Sequence, residues 1–363
     1  MKKRLIIFLI LAAGLQAIAQ PDGRPFVIKS GIHSGLNLPF YKALDYLIED
    51  DIYAFDISIG FPSYGKDHWE RLYNYPTTGM GYSLWTLGND EVLGRAHAIY
   101  GYMSIPVLKK SGNFSLDFLA ATGAAYLPYR FDIEGNHLNR AIGSNFNIYI
   151  RLGIQNRIRI NNKAAVLLEA GTTHFSNGKT RSPNYGINAG SVSVGFSYLF
   201  NEKYGVVKEP EIPQIKKEYI HSLVWSAGSK TYDNLLNNRY LSTSITFNIE
   251  RYVRHAGKAG LGAVAFYDGS ISEALAAEKD RADEGLSKLV RLGLHASYAY
   301  RYKNMMAGLQ IGHYLYSKYK VLTHIYNRIS VQYLFTENIF GSIAIKSHWG
   351  KADCLEYGIG YTW

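Results

Sequence analysis

An all-β chain closing as an antiparallel β-barrel across the bacterial outer membrane is the architecture this sequence predicts. Three observations carry that reading. The chain opens on a secretory signal and then lacks any apolar run near the roughly 18 residues a membrane helix needs. It is built instead from segments of about ten residues in which apolar and small polar side chains alternate, separated by turn residues. It also carries 30 Tyr, 16 Phe and 5 Trp, a supply that suits the aromatic girdles of such a barrel. A soluble periplasmic β-sandwich is the alternative, but soluble strands rarely put so many aromatics on one face.

The signal occupies residues 1–19. Lys2, Lys3 and Arg4 form its charged start, Ile6 to Ala13 its apolar core, and Ala17-Ile18-Ala19 its cleavage site. No cysteine follows the site, which argues against a lipoprotein anchor. Its three charges leave the formal +10 of the whole chain near +7. A basic balance of that size fits an anionic membrane surface, and nothing in the sequence points to nucleic acid. The mature chain ends Tyr357-Gly358-Ile359-Gly360-Tyr361-Thr362-Trp363, an alternating strand with a terminal aromatic that resembles the assembly signal of outer-membrane proteins.

Alternation places strands at about 25–33, 52–61, 77–87, 95–107, 113–127, 141–160, 163–176 and 187–200. A second set follows at about 219–230, 239–253, 259–269, 287–302, 305–317, 323–335, 339–349 and 354–363. Tyr53, Phe55, Ile57 and Ile59 against Ala54, Asp56, Ser58 and Gly60 show the pattern clearly. Short connections such as Asn161-Asn162, Lys303-Asn304 and Thr336-Glu337-Asn338 belong on the periplasmic side. Long ones at 128–140, 177–186 and 270–286 belong outside, the last with a short helix over 272–284. Segment 62–76 breaks the rule, being long where a short turn is expected.

The chain divides into the signal at 1–19, a first strand block at 20–200, a linker at 201–218 with Pro210 and Pro213, and a second block at 219–363. One barrel of about 14–16 strands is the preferred layout, because only the extreme C-terminus needs an assembly signal. Two tandem eight-stranded units are the alternative. The single Cys354 rules out an internal disulfide and reads as a small interior residue.

One hairpin concentrates chemistry. Val166, Leu168, Ala170, Thr172, His174 and Ser176 share a strand face, and Val192, Val194, Phe196 and Tyr198 share one on the returning strand, with Asn188 at the same parity. In a membrane barrel this apolar face meets lipid. Polar groups there are costly without a use. His174 and Ser176, two apart on one face, bring a base within reach of a hydroxyl that is a poor nucleophile unaided. Asn188 can accept the imidazole N–H and orient it, as the third group of a triad does. Asn177, by its amide or its N–H, with Gly178 allowing close approach, is the candidate for an oxyanion hole. Glu169 has the wrong parity and points inward.

His174-Phe175-Ser176-Asn177-Gly178 with Pro183-Asn184-Tyr185-Gly186-Ile187-Asn188 resembles the lipid A 3-O-deacylase family, also called acyloxyacyl hydrolase-like, over about residues 24–200. The resemblance implies an outer-membrane barrel whose membrane-facing serine esterase site removes an ester-linked acyl chain from lipid A without a metal or other cofactor. It makes His174 the general base, Ser176 the nucleophile and Asn177 an oxyanion contributor. One departure is that the family's best-known members carry Glu where this chain has Asn188. That departure suits a rival family, outer-membrane phospholipase A, with its Ser-His-Asn triad in a similar motif. The rival implies phospholipid substrates, calcium and activation by dimerisation. A non-enzymatic porin-like or surface-binding barrel is the third reading.

Lys179 and Arg181, just beyond Ser176, stand at the level of lipopolysaccharide phosphates in the outer leaflet and are candidates to hold them; a merely solvated basic loop is the alternative. His348-Trp349-Gly350-Lys351-Ala352-Asp353 in the second block echoes the first motif. Parity turns His348 and Glu356 inward with Lys346, as an interior polar cluster, and Gly350 stands where a nucleophile would be needed.

Overall fold

The computed structural model describes residues 24–39, 42–65, 67–108, 113–201, 218–231, 238–277, 285–319, 323–349 and 351–363. The signal and all but the ends of the 201–218 linker lie outside these residues. In the first block the strands are β1 (Phe26–Asn37), β2 (Ile52–Pro62), β3 (Thr77–Thr86), β4 (Arg95–Pro106), β5 (Phe114–Tyr126), β6 (Phe146–Arg159), β7 (Ala164–Ser176) and β8 (Ile187–Phe200). In the second they are β9 (Ile220–Thr231), β10 (Arg239–Arg254), β11 (Gly257–Asp268), β12 (Val290–Tyr302), β13 (Met305–Ser317), β14 (Ile325–Leu334), β15 (Ile339–His348) and β16 (Lys351–Thr362).

The all-β barrel class expected from the sequence is found, in the tandem layout. Two closed antiparallel barrels replace the single large one. The first closes where β8 returns to β1, from Phe26 opposite Phe200 to Asn37 opposite Ala189. The second closes where β16 returns to β9, from Glu356 opposite Gly228 to Thr362 opposite Ser222. The physical reason is that alternation specifies which face of a strand is apolar and leaves open which strand closes the sheet. Among the described residues no helix is long and apolar enough to cross a membrane.

Period two sorts the side chains as a membrane barrel requires. Outward positions such as Val192, Val194 and Phe196 on β8, and Tyr357, Ile359 and Tyr361 on β16, are exposed toward lipid. Inward positions are polar and paired. In the first barrel Arg151 makes a two-pronged contact with Glu169, at 2.8 and 2.7 Å, and reaches Asp56 at 3.3 Å. Tyr100 donates its hydroxyl to Asp56, and Gln155 donates to Glu169 at 3.0 Å. The cavity among Lys29, Asp56, Arg151 and Glu169 is only about 20 Å³, room for about one water. In the second barrel Lys346 meets Asp353 at 2.8 Å, Arg328 meets Glu356 at 2.8 Å, and Tyr314 and His348 are hydrogen-bonded at 3.0 Å. Lys346, His348 and Glu356 are therefore interior, each on a different partner. Eight strands make a barrel just wide enough for side chains to fill, so these interiors act as packed polar cores and not as open channels.

The ends differ. The β5–β6 and β7–β8 connections stand at one rim with those after β1 and β3. The expected helix in the β11–β12 connection is present at Ser270–Ala277, starting two residues before its expected bound of 272; residues 278–284 lie outside the described ones. Segment 62–76 holds a short helix at His68–Leu72 that sequence periodicity did not indicate.

Candidate active site

β7 and β8 set the site by register. His174 lies directly opposite Asn188 in the antiparallel ladder, the closest relation two strand residues can have. Ser176 ends β7, two residues on and on the same face. The face is the outer one, in line with Leu168, Val192 and Val194, which are exposed toward lipid. His174, Ser176 and Asn188 thus meet on the outward face of the first barrel, at the rim carrying the β7–β8 loop, where Ser176 itself is buried.

The three side chains form a continuous relay. His174 Nδ1 donates to Asn188 Oδ1 at 2.6 Å, and Ser176 Oγ donates to His174 Nε2 at 2.8 Å. An amide oxygen can only accept, so Asn188 holds the imidazole proton on Nδ1 and leaves Nε2 free to take a proton. Glu169, by contrast, is committed inside the barrel to Arg151 and Gln155. Phe175, between His174 and Ser176, is fully buried and packs edge-on against Trp85 at 6.1 Å. That anchor fixes the strand while its neighbours point outward.

The loop joining the strands is shaped around these groups. Gly186 has φ +77°, and a Cβ placed there would stand 2.9 Å from His174 Cε1. Only glycine accepts both the left-handed backbone and the ring beside it. Asn177 organises the loop: its Nδ2 donates to Ser144 Oγ and to the Arg181 carbonyl, each at 2.9 Å, and its backbone N–H donates to Asn184 Oδ1 at 3.0 Å. Every N–H of Asn177 is occupied in this arrangement. Asn184 is different. Its Oδ1 is engaged, yet its Nδ2 is buried with no acceptor among the described residues. A buried unpaired donor costs about 1–3 kcal/mol unless something fills it. Sequence parity could not have found Asn184, because it lies in the loop, where strand alternation gives no direction. The trace that could have found it is the first asparagine of the Pro183-to-Asn188 motif, Asn184 itself.

Lys179 and Arg181 lie in the same loop. Burial pushes the Lys179 ammonium below its usual value, partly countered by the carboxylate of Asp353 in the second barrel. Among the described residues no group of His, Cys, Asp or Glu is arranged to hold a metal ion.

Two family models match the chain. Lipid A 3-O-deacylase (PagL) matches residues 53–197, and the acyloxyacyl hydrolase C-terminal domain matches residues 219–363. No curated protein matches the sequence significantly. Among solved structures, the outer membrane enzyme PagL aligns at 15% identity over 46% of this chain and 97% of its own, with a TM-score of 0.30. A mutant Rh. blastica porin aligns at 9% identity over 93% of this chain and 100% of its own, with a TM-score of 0.18. The outer membrane protein Omp33 of Acinetobacter baumannii aligns at 7% identity over 94% of this chain and 100% of its own, at 0.19. The two family models lie one on each barrel, in tandem: the chain belongs to the lipid A 3-O-deacylase (PagL) and acyloxyacyl hydrolase-like family, and is an integral outer-membrane β-barrel protein.

Proposed function

We propose that the protein is an outer-membrane serine esterase that removes an ester-linked acyl chain from lipid A in the outer leaflet. The observation that carries this reading is the Asn188–His174–Ser176 relay on the outward face of the barrel, where an unused polar trio would be costly. The family supplies the substrate class, and the filled barrel interiors argue against a porin.

In this reading His174 Nε2 takes the hydroxyl proton as Ser176 Oγ bonds to the ester carbon. The carbonyl oxygen becomes an oxyanion and accepts from Asn184 Nδ2, the donor with no other partner. The ester C–O bond then breaks, and the imidazolium returns its proton to the leaving alkoxide. Water attacks the acyl-serine with His174 again as base, releasing a carboxylate and restoring Ser176. Asn188 fixes the tautomer throughout, without the charge a carboxylate would add. Asn177 orders the oxyanion donor by binding its oxygen. Lys179 and Arg181 line the loop where the glycolipid phosphates would approach.

Asn188 favours a second reading, a phospholipase A that uses a Ser-His-Asn triad with calcium. The purified protein in mixed micelles, given lipid A and phospholipid in parallel with and without a chelator, separates the two. The deacylase reading expects acyl release from lipid A that a chelator leaves unchanged. Release from phospholipid that is lost with chelator and restored by calcium would replace it.

A further inference from the structure

The outer rim of the second barrel carries two side chains whose burial the barrel itself does not account for. Thr231 on β9 and Leu355 on β16 have outward parity. Their strand-mates Trp225 and Tyr357 are 56% and 58% exposed, whereas Thr231 and Leu355 are 1% and 8% exposed. What covers them is the β7–β8 loop of the first barrel. Ser182 and Thr231 share a hydrogen bond between hydroxyls at 2.7 Å, both groups buried. Gly178, at φ +62°, lies so close to the second barrel that a Cβ there would stand 3.2 Å from Leu355 Cβ.

A second contact joins the barrels at the opposite rim and explains the segment that was too long for a periplasmic turn. Trp69 packs edge-on against Tyr302, and Tyr73 against Tyr300, each with ring centroids 4.7 Å apart. Lys303 Nζ sits 5.0 Å from the Trp69 ring centre, and Ala256 is buried in the same cluster. The two contacts involve different strands: β7–β8 on the β16–β9 seam above, and the β2–β3 connection on the β12–β13 turn below. Strand tilt reconciles them. At a tilt of about 40°, a strand of about 13 residues drifts sideways by about 28 Å, or four to five strand widths, between rims. Counting forward in each barrel, the lower contact lies three strand positions on in the first and four in the second. Both contacts therefore fall on one side of each barrel, and the barrels stand side by side with the catalytic loop between them.

The loop held this way carries the site. It joins Ser176 to Asn188 and contains Asn184 and Gly186. Ser182 lies in its middle, so an anchor there restrains both ends. We propose that the second barrel is a clamp on the active-site loop, with Thr231 and Leu355 as positioning residues for Ser176. This rests on the serine reading above and gives the C-terminal barrel a role in catalysis.

The test is the rate at which the full chain in detergent takes up a fluorophosphonate ester. Ser176 Oγ bonds to phosphorus, fluoride leaves, and His174 takes the hydroxyl proton. Thr231→Val and Ser182→Ala should each slow labelling about fivefold to tenfold, the size expected for one lost hydrogen bond. The double variant should be no slower than either, and Thr231→Ser should restore the rate, which a general loss of stability would not do. Leu355→Ala should slow it by a similar factor. A disulfide between Ser182→Cys and Thr231→Cys, in a Cys354→Ala background, should form on mild oxidation of the membrane-embedded chain and preserve labelling. A labelled wild type with an indifferent Thr231→Val, additive losses in the double variant, or failure of the disulfide to form would overturn the clamp alone. A wild type that takes up no probe would overturn the serine reading and the clamp with it.

Discussion

Replacing Asn188 asks how much of the site's rate comes from orienting His174. The amide oxygen lies 2.6 Å from Nδ1 and is the only group in the relay that tells the imidazole which nitrogen to protonate. In Asn188→Ala the Nδ1 and Nε2 tautomers become comparable, and the ring loses one of its two tethers. Loss of an orienting carboxylate in a triad costs up to about 10⁴ in turnover. A neutral amide stabilises the imidazolium less, so a loss of about 10–10³ in kcat, or about 1.4–4 kcal/mol, is expected, with KM little changed. Asn188→Asp is the informative counterpart, because it is isosteric and puts a charge where the amide oxygen stands. At about 4 Å and an effective dielectric of about 20, a carboxylate attracts the imidazolium by about 4 kcal/mol. Desolvating that carboxylate at a lipid-facing rim offsets much of the gain. The Asp variant should keep wild-type activity within about tenfold or exceed it, and Asn188→Glu should do the same if its extra methylene fits. Initial rates of acyl release on lipid A micelles measure all three. Full activity in Asn188→Ala would remove Asn188 from the triad.

Gly186→Ala should still fold, less stable by about 1–2 kcal/mol for a side chain at φ +77°, and lose about 10–100-fold in kcat, because its Cβ would stand 2.9 Å from His174 Cε1 and push the ring off Ser176; steady-state rates beside an unfolding curve separate the two effects. Asn184→Ala should lower kcat by about 10²–10³ with KM unchanged if its free Nδ2 serves the oxyanion, and a change confined to KM would move that role elsewhere. Glu169→Ala leaves Arg151 only its 3.3 Å contact with Asp56 inside the barrel and should cost up to about 3–5 kcal/mol in urea unfolding from lipid vesicles, with Ser176 labelling intact in the folded fraction. A loss of activity without that loss of stability would give Glu169 a part in catalysis that its inward position denies it.

The parts of the site legible in the sequence were those that period two governs. The parity of His174, Ser176 and Asn188 put them on one outward face, and the ladder pairs His174 with Asn188 directly. The same rule sent Glu169 inward, to Arg151. Asn184 was not legible, since a loop side chain takes its direction from hydrogen bonds such as that from Asn177 N–H. Barrel closure was hidden for a related reason. Phe26 opposite Phe200 is a long-range pairing that no local alternation encodes, and each strand reads alike in a barrel of eight or sixteen. The long 62–76 segment was visible as an exception, but Trp69 and Tyr73 find their meaning only against Tyr300 and Tyr302 of the other barrel.

Mass spectrometry of lipid A after incubation with the purified wild-type chain and with Ser176→Ala tests the central claim most directly. The relay requires that the wild type release one ester-linked acyl chain, with the matching loss of mass, and that Ser176→Ala, folded and membrane-embedded, release none. Lipid A left intact by the wild type, or deacylated equally by Ser176→Ala, would contradict it.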